Sequence, residues 1–170
     1  MDTRIAIWNV LHDGEITAVS QDADTISMFV SIPYLRRRLT PLGDSFVLTL
    51  EGVKLAECRD FDGSTVPLSE ELEAATPEIL STDSEGMPVC IETTTGRLIL
   101  DFVSIRLVLD TGQEIGYETI EEVCREYWTE LETQAEQITP HEPPPRSSAS
   151  DAPDHRTLDS PPAPGPGGGR

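Results

Sequence analysis

Residues 97–110 (RLILDFVSIRLVLD) form the longest and most apolar β-type run of the 170-residue chain. The alternation of this run changes phase part-way, from even-numbered to odd-numbered apolar positions: Leu98, Leu100 and Phe102, then Val103, Ile105, Leu107 and Leu109. A strand places successive residues on opposite faces, so both sets are buried on one side only after a one-residue shift. We predict a central antiparallel strand with a β-bulge near residues 102–104, or one long enough to pack a different layer at each end.

Turn signals and shorter alternating runs divide the rest of the chain into further elements. The predicted strands cover residues 4–11, 15–20, 25–32, 44–50, 53–58 and 87–95. A short helix is predicted over residues 69–75, where Ser69 is a suitable N-cap. The prediction is an α+β fold: an antiparallel sheet of six to eight strands, strongly curved or a partly open barrel, with this short helix and a long C-terminal helix packed on it.

The long helix is predicted over residues 117–138, and Pro140 follows it. Its apolar residues recur at steps of three and four, which is typical of an amphipathic helix. The stripe consists of Ile120, Val123, Cys124, Tyr127, Trp128, Leu131, Ala135 and Ile138. We expect the helix to dock through Val123, Tyr127, Trp128 and Leu131.

The composition changes after Ile138, which suggests one domain over residues 1–138. Residues 139–170 contain nine prolines and the run GPGGG, with Leu158 as the only large aliphatic residue. A segment of this composition buries too little apolar surface to order itself. We therefore predict a single acidic domain followed by a disordered tail.

Charge is the strongest compositional signal. Residues 1–138 hold 27 Asp and Glu against 9 Lys and Arg, so the acidity lies in the predicted domain. Phosphate binding needs a cationic surface, which argues against nucleic acid as a partner. A basic protein is the favoured partner, and the alternative is that the charge serves solubility alone.

Cysteine usage and hydropathy indicate the compartment. Cys58, Cys90 and Cys124 are odd in number, widely spaced and without a CxxC motif, as expected for thiols in a reducing environment. No segment has the length and apolarity of a signal sequence or a membrane span. We expect a cytoplasmic protein that does not contact a membrane.

The predicted long helix carries a row of glutamates at i, i+4 spacing. The row consists of Glu118, Glu122, Glu126 and Glu130, with Glu121 beside it. Each like-charge contact at this spacing costs about 0.2–0.5 kcal/mol, so folding alone does not favour the row. These five residues are the predicted partner-binding site, unless the row is a solvated face or pairs with the arginines at 36–38.

The domain offers little catalytic chemistry. His12 is its only histidine, and the cysteines lack the spacing of zinc ligands, so we expect no enzyme, metal or cofactor. His12 and Asp13 suggest a metal-dependent phosphohydrolase, but the further His and Asp ligands are missing. A turn before Gly14 explains the pair without any ligand.

Residues 60–65 (DFDGST) contain the other secondary candidates, Asp60 and Asp62. The stretch resembles the nucleophile loop of haloacid dehalogenase phosphatases, but no strongly apolar parallel strand precedes it and no lysine follows. It also half-matches a calcium loop, although Thr65 occupies the required glycine position. A polar hairpin loop is the expected structure.

Residues 8–16 (WNVLHDGEI), followed by a polar loop and an alternating strand, resemble the start of small uncharacterised bacterial α+β proteins. Some of those proteins are predicted immunity proteins of polymorphic-toxin systems. The resemblance covers the first third of the chain and supplies no catalytic residue. It implies a β-rich non-enzyme that binds a protein.

Three functions remain open at this point. The first is an acidic protein-binding module, in particular an immunity-type inhibitor of a basic protein such as a nuclease toxin. The second is a ligand-binding or catalytic β-domain using carboxylates from Asp60, Asp62, Asp101 or Glu114. The third is a structural or adaptor subunit.

Overall fold

The computed structural model describes residues 2–68, 72, 75–82 and 84–138, with side chains described up to residue 135. Within these residues the chain forms two antiparallel sheets of five strands each. The strand order is β1-β2-β3-β9-β10 in the first sheet and β5-β4-β8-β7-β6 in the second. The predicted α+β class is confirmed, but the prediction of one six- to eight-stranded sheet or partly open barrel is wrong.

The first sheet starts with a hairpin and is completed from the far end of the chain. Its strands are β1 (Glu15–Asp22), β2 (Thr25–Ser31), β3 (Ser45–Glu51), β9 (Ser104–Leu109) and β10 (Glu114–Ile115). The even positions of β2 are buried and Phe29 is partly exposed, in agreement with the predicted alternation.

The second sheet contains two strands that the sequence does not signal clearly. Its strands are β4 (Leu55–Asp60), β5 (Thr65–Val66), β6 (Ile79–Thr82), β7 (Val89–Thr93) and β8 (Gly96–Asp101). The edge strands β5 and β6 were not predicted, because two to four residues are too few to display an alternation.

The predicted central strand is divided between the two sheets. β8 is the middle strand of the second sheet and β9 belongs to the first, so Phe102 and Val103 carry the chain across. β3 and β4 make the same crossing beside them, since β3 pairs with β9 and β4 with β8. The phase change thus marks a strand that serves two layers, and the single-sheet interpretation of the run is wrong.

Gly52 allows the two crossing segments to approach closely. It has a φ of 63°, and a Cβ atom there would lie 2.7 Å from Val103 Cγ2. The Val103 N–H donates to the Glu51 carbonyl at 2.9 Å, and the Lys54 N–H donates to the Asp101 carbonyl at 2.7 Å. The most deeply buried positions are even up to Phe102 and odd from Leu107 onward, so the change of face lies between these two residues; Val103, predicted to belong to the odd buried set, is 58% exposed.

Residues 3–10 form a helix and not the predicted first strand. Helix α1 (Thr3–Val10) starts at Asp2, whose carboxylate accepts a hydrogen bond from the Arg4 N–H at 3.0 Å. Four consecutive residues, Ile5 to Trp8, are buried, so the segment has no polar face from which its period could be read. The acidic N-cap was the available signal.

The two sheets and α1 share one buried cluster of side chains. Trp8, from α1, lies in it with Met28 and Leu48 of the first sheet and Ile91 and Leu100 of the second. The turn after α1 also links the sheets, since the Asp13 N–H donates to the Ile79 carbonyl and the Ile79 N–H donates to the Gly14 carbonyl, both at 2.9 Å.

The C-terminal helix (Tyr117–Ile138) has the predicted bounds. It contacts α1 and the four-residue helix α2 (Pro33–Arg36). The predicted helix at 69–75 lies mostly outside the described residues, although Leu72 is described and buried. The predicted tail over residues 139–170 lies outside them entirely.

A helix that crosses a bilayer needs about 20 consecutive, predominantly apolar residues. None of the helices in the described ranges is long and apolar enough to do so.

Candidate protein-binding surface

The C-terminal helix is 22 residues long, which corresponds to about 33 Å. Within its described side chains Ile120 is fully buried, and the half-buried residues are Tyr117, Val123, Cys124, Tyr127 and Leu131. Trp128 was predicted to dock but is 45% exposed, which corrects that prediction. It lies about a quarter-turn from the centre of the buried stripe, at an edge that neither α1 nor α2 covers.

The five predicted partner-binding glutamates lie on this helix and are all exposed: Glu118, Glu121, Glu122, Glu126 and Glu130. Residues four apart on a helix are displaced by about 40° around the axis. The row therefore drifts, from Glu118 on the outer side of the helix to Glu130 beside α2.

Glu130 forms a contact within the fold. The Arg38 guanidinium, at the end of α2, donates to Glu130 Oε1 at 3.0 Å and to Glu130 Oε2 at 2.5 Å. This hydrogen bond lowers the pKa of the Glu130 carboxyl. The alternative that the arginines at 36–38 pair with the row thus holds for Glu130.

The rest of the row has a different environment. Glu118, Glu122 and Glu126 make no ion pair with any residue that the structure describes. Glu121 accepts a hydrogen bond from the Tyr117 hydroxyl at 3.2 Å and lies 4.0 Å from Arg125. We call Glu118, Glu121, Glu122 and Glu126 the acidic helix face.

Aromatic side chains join α2 to the C-terminal helix next to the Arg38–Glu130 pair. The rings of Tyr34 and Tyr127 are stacked with centroids 4.5 Å apart, and the Arg38 guanidinium lies 5.2 Å from the Tyr127 centroid. Burial, and then the negative charge of Asp13, raise the pKa of Tyr34 to about 12. The stack joins α2 to the C-terminal helix, while Trp128 beside it stays 45% exposed.

The other two arginines of the triplet are also engaged. Arg36 is fully buried; its Nε and Nη2 donate to Asp110 Oδ1 at 2.9 and 2.5 Å, and its Nη1 donates to the Pro41 carbonyl at 2.6 Å. Burial tends to raise the pKa of Asp110, but hydrogen bonds from the Asp44 N–H, Arg36 and the Ser45 N–H outweigh it and lower the pKa. Arg37 pairs with Asp44 at the surface.

The other arginines in the described part of the chain also contact carboxylates. Each of the eight lies within 4.0 Å of a carboxylate of this chain: Arg4, Arg36, Arg37, Arg38, Arg59, Arg97, Arg106 and Arg125. These eight arginines are therefore paired within the chain, and the exposed acids without an ion pair among the described residues include Glu118, Glu122 and Glu126.

His12 and Asp13 form the turn between α1 and β1, as expected. His12 Nδ1 lies 2.7 Å from Asp13 Oδ1, and Asp13 has a φ of 65°. The Gly14 N–H donates to the Leu11 carbonyl at 3.1 Å, and the Tyr34 hydroxyl donates to the His12 carbonyl at 3.3 Å. These contacts account for the pair structurally.

Asp60 and Asp62 lie in the turn that connects β4 to β5, remote in sequence and element from His12 and from the helix. Asp62 Oδ1 accepts from the Ser64 N–H at 2.8 Å, and Asp60 Oδ1 accepts from the Phe61 N–H at 2.6 Å. The hydrogen bonds with Ser64 lower the pKa of the Asp62 carboxyl. The carboxylates act as acceptors for their own loop, as expected of a polar hairpin.

A cavity of about 280 Å³ is lined by Asp60 and Glu92 together with Arg59 and Arg97, but Asp60 is exposed and Glu92 is only half-buried, which gives little support to catalysis by carboxylates. A cavity of about 210 Å³ lies between α1, β9 and the start of the C-terminal helix, and Glu114 is its one acidic lining residue. Within the described residues the buried polar or charged side chains are Arg36 and Thr93, so no pair of buried carboxylates is present there. The same residues contain no cluster of three or more potential metal ligands.

Comparison of the chain with protein-family models, curated proteins and solved structures found no match. The surface is therefore interpreted from its own contacts. Sequence reasoning identified the acidic row and gave pairing with the arginines at 36–38 as an alternative, but it could not tell that Arg38 and Glu130, 92 residues apart, form the pair. It also missed the exposure of Trp128, for which the edge position in the helical stripe was the available signal.

Proposed function

We propose that this protein is an acidic binding module for a basic protein, and that the acidic helix face is part of its contact surface. The observation that carries the proposal is the distribution of ion pairs. All eight described arginines are neutralised within the chain, whereas Glu118, Glu122 and Glu126 stay exposed and without an ion pair among the described residues. An external cation would remove the repulsion along the row.

The most specific form of this function is an immunity-type inhibitor of a basic protein such as a nuclease toxin. Nuclease surfaces that bind phosphates are cationic, and the carboxylates of the acidic helix face would take the place of the phosphates on such a surface. Complementary charge raises the association rate and excludes other acidic proteins. The stacked rings of Tyr34 and Tyr127 hold the helix in place and reduce the ordering that binding would require.

The ligand-binding and catalytic alternative has weaker support. Asp60 and Asp62 bond to their own loop, and Glu114 lines the cavity beside α1 without a second carboxylate. No specific contact favours the adaptor alternative over the proposed function.

Photo-cross-linking from the helix in the protein's own cells tests the proposal. A photoreactive residue replaces Glu122 in one variant and the exposed Glu85 in the control. The residue at position 122 is expected to cross-link to a protein with an excess of Lys and Arg. The yield of this adduct should fall when Glu118→Gln is introduced into the same chain. Equal adducts from both positions, or an acidic adduct, would contradict the proposal.

The inhibitor form has its own test. The cross-linked protein is produced in a heterologous bacterium with and without this chain. Growth arrest that co-production relieves supports an immunity function. If the partner produced alone does not slow growth, the partner is not a toxin, and the protein is a binding module without an immunity function.

A further inference from the structure

The second half of the C-terminal helix presents an apolar seam that the described residues do not cover. Cys124, Trp128, Leu131 and Ala135 follow one another at steps of four, three and four. That is the 3.5-residue period by which a helix contacts another helix. Cys124 and Leu131 are half-buried, whereas Trp128 is 45% exposed, so the seam is open to solvent at Trp128.

Trp128 is the largest side chain of this seam. Its ring makes an edge contact with Tyr127 at 5.4 Å between centroids, and 45% of the residue is accessible to solvent. Tryptophan, tyrosine and arginine are the residues that most often dominate protein–protein binding energy. Trp128, Tyr127 and Arg38 stand together at this end of the helix.

Charge on both sides of the seam restricts its occupant. Glu121 and Glu132 lie on the same side of the helix as Trp128, two turns before it and one turn after it, and both are exposed. Arg125 is the only basic residue of the helix and already faces Glu121 at 4.0 Å. A second copy of this chain would bring like charges together, since the net charge is −19.

We propose that the Trp128 seam binds a basic amphipathic helix of the partner, with the partner's apolar side chains against Trp128 and Leu131 and its Lys or Arg side chains facing Glu121 and Glu132. This inference rests on the proposed function, because it assumes a cationic partner. It adds the secondary structure of the bound segment and the side chain at the centre of the contact.

The two tryptophans of the chain provide a direct readout. Trp8 is fully buried and Trp128 is half-exposed, so acrylamide quenches mainly the fluorescence of Trp128. The probes are two synthetic peptides of identical Leu, Lys and Arg composition. One places leucine at a 3.5-residue period, and the other has the leucines scrambled so that no helical stripe forms.

The intact chain is titrated with each peptide near physiological salt. The periodic peptide is expected to bind about tenfold more tightly than the scrambled one, and saturation should abolish most of the quenching of Trp128. Trp128→Ala should lower the affinity for the periodic peptide by about tenfold or more, as expected when the central aromatic side chain of an interface is removed. Phe61→Ala, which removes a 76% exposed aromatic from the β4–β5 turn, should leave binding unchanged.

Three results would overturn the inference. They are equal affinity for both peptides, unchanged quenching at saturation, and a Trp128→Ala variant that binds like the parent. An anionic peptide of the same length separates this failure from failure of the proposed function. If the cationic peptides bind better than the anionic one but do not cover Trp128, the proposed function stands and the seam is rejected; if they bind no better, both fail.

Discussion

Single residues in this protein divide into those that hold the fold and those that the fold leaves exposed. Arg36 and Arg38 are two positions apart, yet Arg36 is fully buried against Asp110 while Arg38 lies over Tyr127 at the surface. Adjacent charges read from a sequence look equivalent, because only the tertiary structure decides which one is desolvated. The glutamate row and its possible pairing with the arginines at 36–38 could be read from the sequence, but not which glutamate and which arginine form the pair.

The two tryptophans should differ sharply in their contribution to stability. Trp8→Ala removes a fully buried indole and should lower the free energy of unfolding by about 3–5 kcal/mol. Trp128→Ala should lower it by only about 1 kcal/mol, because nearly half of the residue is already in solvent. Urea denaturation measures both, and similar losses for the two variants would place Trp128 in the core.

Asp110 and Arg37 form a second contrasting pair. Asp110→Ala leaves the buried Arg36 guanidinium without its carboxylate and should cost about 3 kcal/mol, since a buried charge that loses its partner is strongly destabilising. Arg37→Ala breaks an exposed pair with Asp44 and should change stability by less than about 0.5 kcal/mol. Comparable losses in thermal denaturation would mean that Arg36 is not desolvated.

Helices and strands were predictable where apolar residues recurred with a single period along the whole element and on one face of it. The C-terminal helix and the alternating strand β2 met that condition, and the structure places both where they were predicted. Helix α1 did not, since Ile5 to Trp8 are buried on all sides. The run at residues 97–110 showed its break in phase, but local sequence carries no information on whether a break is a bulge or a passage to another sheet.

The acidic row should respond in opposite senses at its two ends. Glu122→Gln relieves repulsion from Glu118 and Glu126 and should raise the free energy of unfolding by about 0.4–1 kcal/mol. Glu130→Gln should lower it, because the variant loses the charged hydrogen bonds from Arg38. A rise for both variants in urea denaturation would contradict the Arg38–Glu130 contact.

The effect of pH on Glu130→Gln follows from the lowered pKa of Glu130. A carboxyl with a lowered pKa in the folded state stabilises the protein above its unfolded pKa, and that contribution is lost as the pH falls through the folded pKa. The variant should therefore be less stable than the parent at neutral pH, and the difference should shrink as the solution becomes more acidic than the usual glutamate pKa. A difference that grows toward acid would give the wrong sign for this contact.

At the scale of the whole molecule, the sequence predicted the class of fold from its strand and helix periods, and the sign of the net charge from its composition. It could not predict that two sheets share one core, because the strand pairs β3–β9 and β4–β8 join residues 36 to 63 positions apart. The net charge also does not show where on the surface the acidic residues lie. Only the three-dimensional arrangement separates acids that neutralise an arginine from acids that remain exposed.

Truncation after Thr139 tests the predicted domain boundary. The core of the described part is built from residues that precede this point, and residues 139–170 have a composition that buries little apolar surface. The truncated chain should melt within about two degrees of the full chain in calorimetry. A fall of about ten degrees would show that the last 31 residues stabilise the domain.

The central claim is that position on the helix, and not net charge alone, determines binding of a basic partner. The most direct measurement is the association rate constant with the cross-linked partner, determined by stopped flow over a range of salt concentrations. The helix variant is the double substitution Glu118→Gln/Glu122→Gln. The control is Asp22→Asn/Glu85→Gln, which removes two exposed acids away from the C-terminal helix. Charges at an interface act mainly on association, so the helix variant should associate several-fold more slowly at low salt and the control should match the parent. Equal slowing in both variants would contradict the claim, since it would show that the total charge alone sets the rate.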